Sequence, residues 1–364
     1  MIGGYKRTRN CYSTTKTCGI ISGMTEIPIL QVKNLKTQLK FGNEIITVVE
    51  DLCFDLHHGK TLALVGESGC GKSMTALSLM RILPHPPALP PKGEVIYKGQ
   101  NLLTISEKEM RKIRGAKIAM IFQDPMSSLN PVYTIGSQLA EVAELHLDLY
   151  GEEARLVACE TLAEVGIANP EKRLNDYPHQ LSGGLKQRVM IAMALMCQPD
   201  VLIADEPTTA LDVTIQAQVL NLIRRLQEKK GMALLLITHD MGVVAEMADD
   251  VIVMYTAQSI ERGSVLEIFD HRAHPYTMGL FDSRPSVQLK KGKLTSIRGT
   301  VPPLNNLPSG CRFHPRCPFA MPKCKEGAVT DFVIDESMTH RAKCWLYDNT
   351  EESAKSLANH WGEI

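Results

Sequence analysis

An eight-residue segment, Gly-Glu-Ser-Gly-Cys-Gly-Lys-Ser at 66–73, limits the possible folds of this 364-residue chain more than any other feature. It has the spacing of a phosphate-binding loop, in which glycines let backbone N–H groups point at a phosphate. The apolar run 61–65 before it has the length of a strand, and residues 74–81 after it are typical of a helix. This order predicts an α/β fold with a nucleotide at the end of one strand.

The side chains of this loop have different predicted roles. Lys72 can reach the β- and γ-phosphates of a nucleotide, and the Ser73 hydroxyl can be a ligand for Mg²⁺. The other predicted contacts to the nucleotide are Gly66, Ser68, Gly69, Cys70 and Gly71. The alternative, a glycine-rich turn before an ordinary helix, does not account for the order of strand, loop and helix.

Two acids, Asp205 and Glu206, follow the apolar run 201–204, which is typical of a strand buried on both faces. Ligands bind beyond the carboxyl ends of strands in open α/β sheets. Asp205 is therefore the predicted Mg²⁺ ligand, and Glu206 is predicted to orient the attacking water. Alone, the pair would be interpreted as solvated loop acids; the phosphate loop upstream favours the catalytic interpretation.

Two further polar residues also follow apolar runs. Gln123 comes after 118–122, and its amide could contact Mg²⁺ or the attacking water. His239 comes after 233–237 and could donate a hydrogen bond to a γ-phosphate. The alternatives are a turn or capping amide for Gln123 and an ordinary loop histidine for His239. Together with the acids and the phosphate loop, they indicate ATP hydrolysis.

These elements, with Leu-Ser-Gly-Gly at 181–184 and Ala-Leu-Asp at 210–212, occur in the order found in ATP-binding cassette (ABC) proteins. The chain resembles the nucleotide-binding subunit of an ABC transporter. The resemblance implies an α/β P-loop fold of the ABC type, with a RecA-like core and a helical subdomain at about 131–198. It also implies that the subunit hydrolyses ATP and couples this to transport across a membrane.

The resemblance assigns further residues to the nucleotide. Ser182, Gly183 and Gly184 would contact the ATP held by a second subunit, which agrees with an anion site at the start of a helix. Asp212 would belong to a loop at the dimer interface. The family usually stacks adenine on an aromatic side chain ahead of the phosphate loop, and Phe41 is the candidate here. The alternative for Phe41 is a strand aromatic in the core.

Several segments narrow the resemblance to importers of oligopeptides and dipeptides, a branch that also serves nickel and related solutes. The matching segments include 123–131, 205–214 and 310–318, and the likeness covers roughly 28–347. One departure lies at 255–261, where this branch usually carries a glycine-containing turn.

The implied function is that of an ATPase subunit that energises the import of dipeptides or oligopeptides by ATP-driven dimer closure and hydrolysis. The implied partners are a second, non-identical ABC ATPase subunit, two membrane permease subunits and a separate solute-binding protein, with no nucleic acid. The implied location is the cytoplasmic face of the bacterial inner membrane, as a peripheral protein. The alternatives are import of nickel or another small solute, and a soluble ABC ATPase that acts on ribosomes or DNA.

Four of the ten cysteines, Cys311, Cys317, Cys324 and Cys344, lie in a Pro-rich segment that has little core of its own. Such a segment needs a staple, and four thiolates suit Zn²⁺ or an iron–sulfur cluster. The spacing lacks the paired Cys-x-x-Cys of common zinc sites. The resemblance favours a [4Fe–4S] cluster, because dipeptide importer subunits can carry one at such cysteines. Zinc and a metal-free segment stay open as alternatives.

Composition excludes some functions. Lys and Arg together number 40, as do Asp and Glu, so no broad nucleic-acid surface is indicated. No apolar run approaches the roughly 20 residues of a spanning helix, so a membrane link would pass through partners. The predicted organisation is an N-terminal tail (1–27), an ABC nucleotide-binding domain (28–265), a cysteine-bearing C-terminal extension (266–347) and a polar tail (348–364).

Overall fold

The computed structural model describes residues 27–124, 128–209, 212–283, 297–335, 338–351, 353 and 355. Most of the predicted N-terminal tail and the last part of the polar tail lie outside the described residues. The described strands are β1 (Leu30–Phe41), β2 (Glu44–Leu56), β3 (Thr61–Val65), β4 (Lys92–Tyr97), β5 (Gln100–Asn101), β6 (Ile118–Ile121), β7 (Val201–Asp205), β8 (Ala233–Thr238), β9 (Asp250–Tyr255), β10 (Gln258–Ser264), β11 (Phe332–Val333) and β12 (Arg341–Ala342). The described α-helices are α1 (Lys72–Leu79), α2 (Glu107–Ile113), α3 (Ile135–Leu147), α4 (Gly151–Glu164), α5 (Pro170–Arg173), α6 (Gly183–Leu195), α7 (Val213–Lys230), α8 (Met241–Met247), α9 (Val265–Asp270) and α10 (Pro275–Asp282).

The larger sheet has the strand order β11-β12-β10-β9-β3-β8-β7-β6. Its five strands from β9 to β6 run parallel. Every residue of β3, β6, β7 and β8 is buried, which is why these segments are continuous apolar runs rather than alternating ones. The strands predicted from those runs are confirmed, and so is the α/β class.

A smaller antiparallel sheet, in the order β2-β1-β4-β5, packs beside the parallel one. Side chains of its inner face, including Leu30, Val32 and Leu52, share a core with Leu64 of β3 and Ile203 of β7. This contact fixes the small sheet against the strand that leads into the phosphate loop.

The helices α3, α4 and α6 form a second apolar core, in which Leu139, Ala158 and Ile191 are completely buried. Thr134 and Ser182 cap α3 and α6, because their side-chain oxygens accept hydrogen bonds from backbone N–H groups of the first turn. All three helices lie within about 131–198, where the resemblance implies a helical subdomain. Helix α3 ends at Leu147, because Asp148 adopts a left-handed conformation with φ 54°.

Part of the C-terminal region completes one edge of the larger sheet, where β12 pairs with β10. The buried carboxylate of Glu261 on β10 organises this edge. It accepts hydrogen bonds from the N–H of Ala273 at 2.7 Å, from the N–H of His274 at 2.9 Å and from Nε2 of His340 at 2.9 Å. The extension is thus joined to the nucleotide-binding region by strand pairing and by a buried acid.

The turn between β9 and β10 forms without a glycine. Thr256 and Ala257 have φ of 41° and 69°, a region in which residues with a Cβ are strained. The turn is held by its surroundings: the N–H of Ala257 donates to the Cys70 carbonyl at 2.9 Å, and its carbonyl accepts from the N–H of Glu50 at 2.8 Å. Local strain is therefore tolerated where the turn touches the phosphate loop.

We expect Ala257→Gly to stabilise the protein, because glycine adopts positive φ without the Cβ penalty. Glycine also loses more backbone entropy on folding, so the gain should be at most about 1 kcal/mol. The midpoint of urea unfolding would measure this. Ala154→Gly is the matched control at a buried alanine inside α4, where glycine should destabilise by about 1 kcal/mol. Equal destabilisation in both variants would contradict the strain at this turn.

Candidate nucleotide-binding site

The candidate site is a cleft of about 410 Å³ beyond the carboxyl ends of β3, β6, β7 and β8. Its lining residues are Gly66, Glu67, Ser68, Gln123, Glu206, His239, Met241 and Leu280. The structure therefore brings the phosphate loop, the second acid of the pair and both predicted polar residues into one cleft.

Two glycines of the phosphate loop are required by neighbouring strands. A Cβ on Gly66, which has φ 152°, would lie 2.2 Å from the carbonyl oxygen of Met254 on β9. A Cβ on Gly71, with φ 107°, would lie 2.3 Å from the carbonyl oxygen of Val48 on β2. The spacing of the loop alone predicts that these glycines allow the close approach of a phosphate. The structure adds a second reason, since both sheets press on the loop.

Lys72 begins α1, and its side chain folds back into the loop. Its ammonium donates hydrogen bonds to the carbonyl oxygens of Gly66 at 2.7 Å and Glu67 at 3.1 Å. The residue is buried, with 5% of its surface exposed. A buried ammonium held at the mouth of a loop is suited to binding phosphate oxygens.

Ser73 and Asp205, the predicted Mg²⁺ ligands, contact each other directly. Ser73 Oγ donates to Asp205 Oδ1 at 3.0 Å, which connects the start of α1 with the end of β7. Burial raises the pKa of Asp205, and the negative charge of Glu206 raises it further, against the effect of the Ser73 hydrogen bond. A cation between these oxygens would offset both effects, and hard oxygen ligands are the ones Mg²⁺ prefers. The pair fits the predicted ion.

Glu206 is the centre of a hydrogen-bond network. Its Oε2 accepts from Gln123 Nε2 at 3.0 Å and from Thr209 Oγ1 at 2.8 Å, and its Oε1 lies 3.2 Å from His239 Nδ1. Burial alone would raise the pKa of Glu206, but the hydrogen bonds from Thr209 and His239 lower it below its usual value. The carboxylate therefore stays ionised and can accept a proton from water. Gln123 contacts this acid; its predicted contact with Mg²⁺ stays a prediction.

The signature segment, Leu-Ser-Gly-Gly at 181–184, lies outside this cleft. Ser182 caps α6 by accepting a hydrogen bond from the N–H of Leu185 at 3.4 Å, and Gly183 and Gly184 form the first turn. Ser182 and Gly183 are exposed to solvent. Asp212 caps α7 in the same way, accepting from the N–H of Ile215 at 3.0 Å. Residues 210 and 211 of the predicted dimer loop lie outside the described residues.

The two remaining nucleotide candidates have different environments. The side chain of Cys70 is buried, and burial raises the pKa of its thiol, so only its backbone is suited to contact a phosphate. Phe41 ends β1 with 52% of its surface exposed, so the alternative of a core aromatic is wrong. Its adenine contact stays a prediction.

The four C-terminal cysteines are free thiols that lie near one another. Cys324 and Cys344 belong to one apolar cluster, against which Cys311 packs. Burial raises the pKa of Cys344 well above its usual value, and charges on the other three thiols raise it further. No group of three or more His, Cys, Asp or Glu side chains placed to hold a metal ion occurs within the described part of the chain. Neither the cluster nor the zinc prediction is supported by this geometry.

Three contributors to the site were missed by the sequence analysis. Thr209 bonds to Glu206 and could have been noticed, because it follows the acid by three residues. Tyr276 accepts a hydrogen bond from the N–H of Glu67 at 2.8 Å, and Leu280 lines the cleft. Both come from α10, which has no sequence signal that links it to the phosphate loop.

Comparison with known proteins identifies the family. A family model described as ABC transporter matches residues 49–209, and one described as oligopeptide/dipeptide transporter, C-terminal region, matches 260–324. The probable peptide ABC transporter ATP-binding protein y4tR of Sinorhizobium fredii is 50% identical over 319 residues, which are 87% of this chain and 94% of that protein. The chain belongs to the ATP-binding subunits of ABC transporters. It is an ATPase that couples hydrolysis to transport.

Two further comparisons agree with this membership. The dipeptide transport ATP-binding protein DppD of Bacillus subtilis is 47% identical over 326 residues, covering 90% of this chain and 97% of that protein. The ATP-binding cassette MJ0796, solved as a dimer in a post-hydrolysis state with ADP and Pi, is 28% identical with a TM-score of 0.57, covering 65% of this chain and 98% of that one. These similarities give no support to the alternative of a ribosome- or DNA-directed ATPase.

The ABC subunit has no long apolar helix of the kind that crosses a bilayer, as far as the described residues extend. ABC ATPase subunits of this kind act peripherally, together with permease subunits. The predicted family and enzymatic activity are confirmed.

We expect Glu206→Gln to lower ATP turnover by at least about 100-fold while ATP binding persists, because the amide keeps the shape of the carboxylate but cannot take a proton. Phosphate release would report turnover, and retention of labelled ATP would report binding. Glu141→Gln, at an exposed acid on α3, is the control and should keep normal turnover. Wild-type turnover in Glu206→Gln would refute the assigned role of this acid.

Proposed function

We propose that this subunit powers an importer of dipeptides or oligopeptides by pairing with a second ATPase subunit around two ATP molecules. The observation that supports it is the position of the signature segment. The cleft holds the phosphate loop and Glu206, whereas Ser182 and Gly183 are exposed on another part of the surface. A helix start with free N–H groups is an anion site, so a second subunit can use it to cover its own nucleotide.

The residues of the cleft and of the adjoining phosphate loop and strand ends divide the work of hydrolysis. Lys72 would neutralise charge on the β- and γ-phosphates, and Ser73 with Asp205 would hold Mg²⁺, which supplies charge neutralisation when bound. Glu206 would orient the attacking water and accept its proton. His239 and Gln123, which both bond to Glu206, would hold that carboxylate toward the γ-phosphate side of the cleft.

The peptide solute and the partners are inferred from relatives. The y4tR protein is named as a peptide ABC transporter subunit, and DppD as a dipeptide transport protein. By this likeness we place the subunit at the cytoplasmic face of a bacterial inner membrane. Its partners there are a non-identical ATPase and two permease subunits, and a solute-binding protein delivers the peptide to them.

The test is an affinity pull-down of the Glu206→Gln protein from gently solubilised native membranes with Mg²⁺ and ATP. Since this variant should hold ATP in a closed dimer, the complex should stay intact during purification. Mass spectrometry is expected to find two multi-span membrane proteins and a second single-cassette ATPase. The same preparation without nucleotide is the control. Ribosomal or DNA-bound partners without membrane chains would overturn the transport proposal and leave the ATPase chemistry intact.

We further propose that the four clustered cysteines bind a [4Fe–4S] cluster. The proposal is supported by the closeness of these cysteines to one another. The N–H of Cys311 donates to the Cys324 carbonyl at 2.8 Å, and charges on Cys311 and Cys324 raise the pKa of Cys317. Burial raises the pKa of Cys317 to about 12, so this thiol is stable as a thiolate only with a metal partner. Four Cys thiolates are the usual ligands of a [4Fe–4S] cluster, and the resemblance to dipeptide importer subunits favours the cluster over zinc.

Protein purified without oxygen is expected to contain about four iron and four sulfide ions per chain. Cys317→Ser should lose both and lower the thermal stability of the C-terminal region, because metal binding contributes folding free energy. Cys159→Ser, at a cysteine on α4 outside the cluster, should keep both. Zinc in place of iron would favour the alternative, and a wild-type protein with neither metal would contradict the proposal.

A further inference from the structure

Glu67, the second residue of the phosphate loop, is held by the side chains of Tyr276 and Arg316. These residues lie 209 and 249 positions further along the chain. The Arg316 guanidinium donates two hydrogen bonds to its carboxylate, from Nη1 to Oε2 at 2.8 Å and from Nη2 to Oε1 at 3.2 Å. The N–H of Glu67 donates to the hydroxyl of Tyr276 at 2.8 Å. The loop is therefore fixed from outside through both a side chain and the backbone.

Arg316 is buried and is contacted on several sides. Only 5% of the side chain is exposed, compared with 29% for Glu67. Its Nε donates to the carbonyl of Arg298 at 3.0 Å, and its guanidinium carbon lies 5.8 Å from the ring centre of Tyr255 and 5.9 Å from that of Phe313. The guanidinium is thus held between Glu67, the Arg298 carbonyl and two aromatic rings.

Three aromatic rings connect the two contacts to Glu67. The ring centres of Tyr255 and Tyr276 are 4.7 Å apart, and Phe313 lies 5.3 Å from the first and 5.5 Å from the second. Tyr255 and Tyr276 are completely buried. Tyr255 also ends β9 next to Met254, whose carbonyl approaches Gly66. The aromatic group is therefore a rigid support behind the first two residues of the loop.

We infer that Arg316 is a positioning residue for ATP binding, which acts by pairing with Glu67. An unpaired carboxylate at this point of the cleft would repel the phosphates of ATP, and the bidentate pair neutralises it. The pair also fixes the loop in advance, so that less conformational freedom is lost when ATP binds. This inference builds on the ATPase activity of the family and needs neither the peptide solute nor the metal cluster.

The contacts of Arg316 predict which kinetic constant depends on it. Its described hydrogen bonds go to Glu67, Arg298 and Tyr255, and the network around Glu206 does not include it. Loss of the pair should therefore weaken binding of ATP in the ground state and in the transition state alike. Such a change raises KM and leaves kcat nearly unchanged.

The test is the ATPase activity of the complete transporter that contains Arg316→Met, with Mg²⁺ and ATP. We expect KM for ATP to rise about 10-fold and kcat to stay within about 2-fold of wild type. Glu67→Gln added to this variant removes the unpaired carboxylate and should bring KM back to within about 3-fold of wild type. Calorimetric titration of the isolated full chain with Mg²⁺ and ATP should show the weakest ATP binding for Arg316→Met. The double variant should bind ATP nearly as tightly as wild type.

Arg262→Met is the matched control. Arg262 on β10 also pairs with an acid, Asp331, at 2.7 Å. The side chains of this pair are 8% and 30% exposed, close to the 5% and 29% of Arg316 and Glu67. The Arg262→Met variant should lose stability without a change in KM. If Arg316→Met fails to fold, Arg316→Lys keeps a charge with one hydrogen bond and should raise KM about 3-fold. Unchanged KM in the folded Arg316 variants, an equal rise in Arg262→Met, or no rescue by Glu67→Gln would each overturn the inference.

Discussion

The parallel pairing of β6, β7 and β8 is the constraint on which the candidate site depends. Ala204 pairs with Ile121 on one side, and Asp205 pairs with Ile237 on the other, so the three strands end at one level of the sheet. Because each chain segment then turns into a loop, Gln123, Glu206 and His239 meet there. A one-residue slip in the register of β6 with β7, or of β7 with β8, would move one of these side chains to the opposite face and break the network.

This part of the molecule was predictable because its rules are local. Continuous apolar runs gave the parallel strands, and glycine spacing gave the loop between β3 and α1. Since parallel strands share one carboxyl edge, the residues that follow them could be assigned to one site without knowledge of their contacts. The hydrogen bond between Ser73 and Asp205, which are 132 residues apart, is the direct consequence.

Other features could not be predicted, because they depend on contacts rather than on composition. The turn at Thr256 and Ala257 has no glycine, and its positive φ values are maintained by hydrogen bonds from Glu50 and to Cys70. Strand β12 has two residues, too few for any periodicity, and it is defined by its pairing with β10 and β11. Resemblance to a family indicated that a C-terminal extension exists but did not indicate which edge of the sheet it joins.

The extension contacts the ATP site by a route that the family motifs do not contain. Arg316 is the last residue of a 3₁₀ turn that begins at His314, and Cys317 is the next residue in the chain. Because the Arg316 guanidinium is buried against Glu67, a displacement of the backbone at Cys317 cannot be absorbed by a change of rotamer alone. The cysteine segment and the phosphate loop therefore have to keep a fixed relative position.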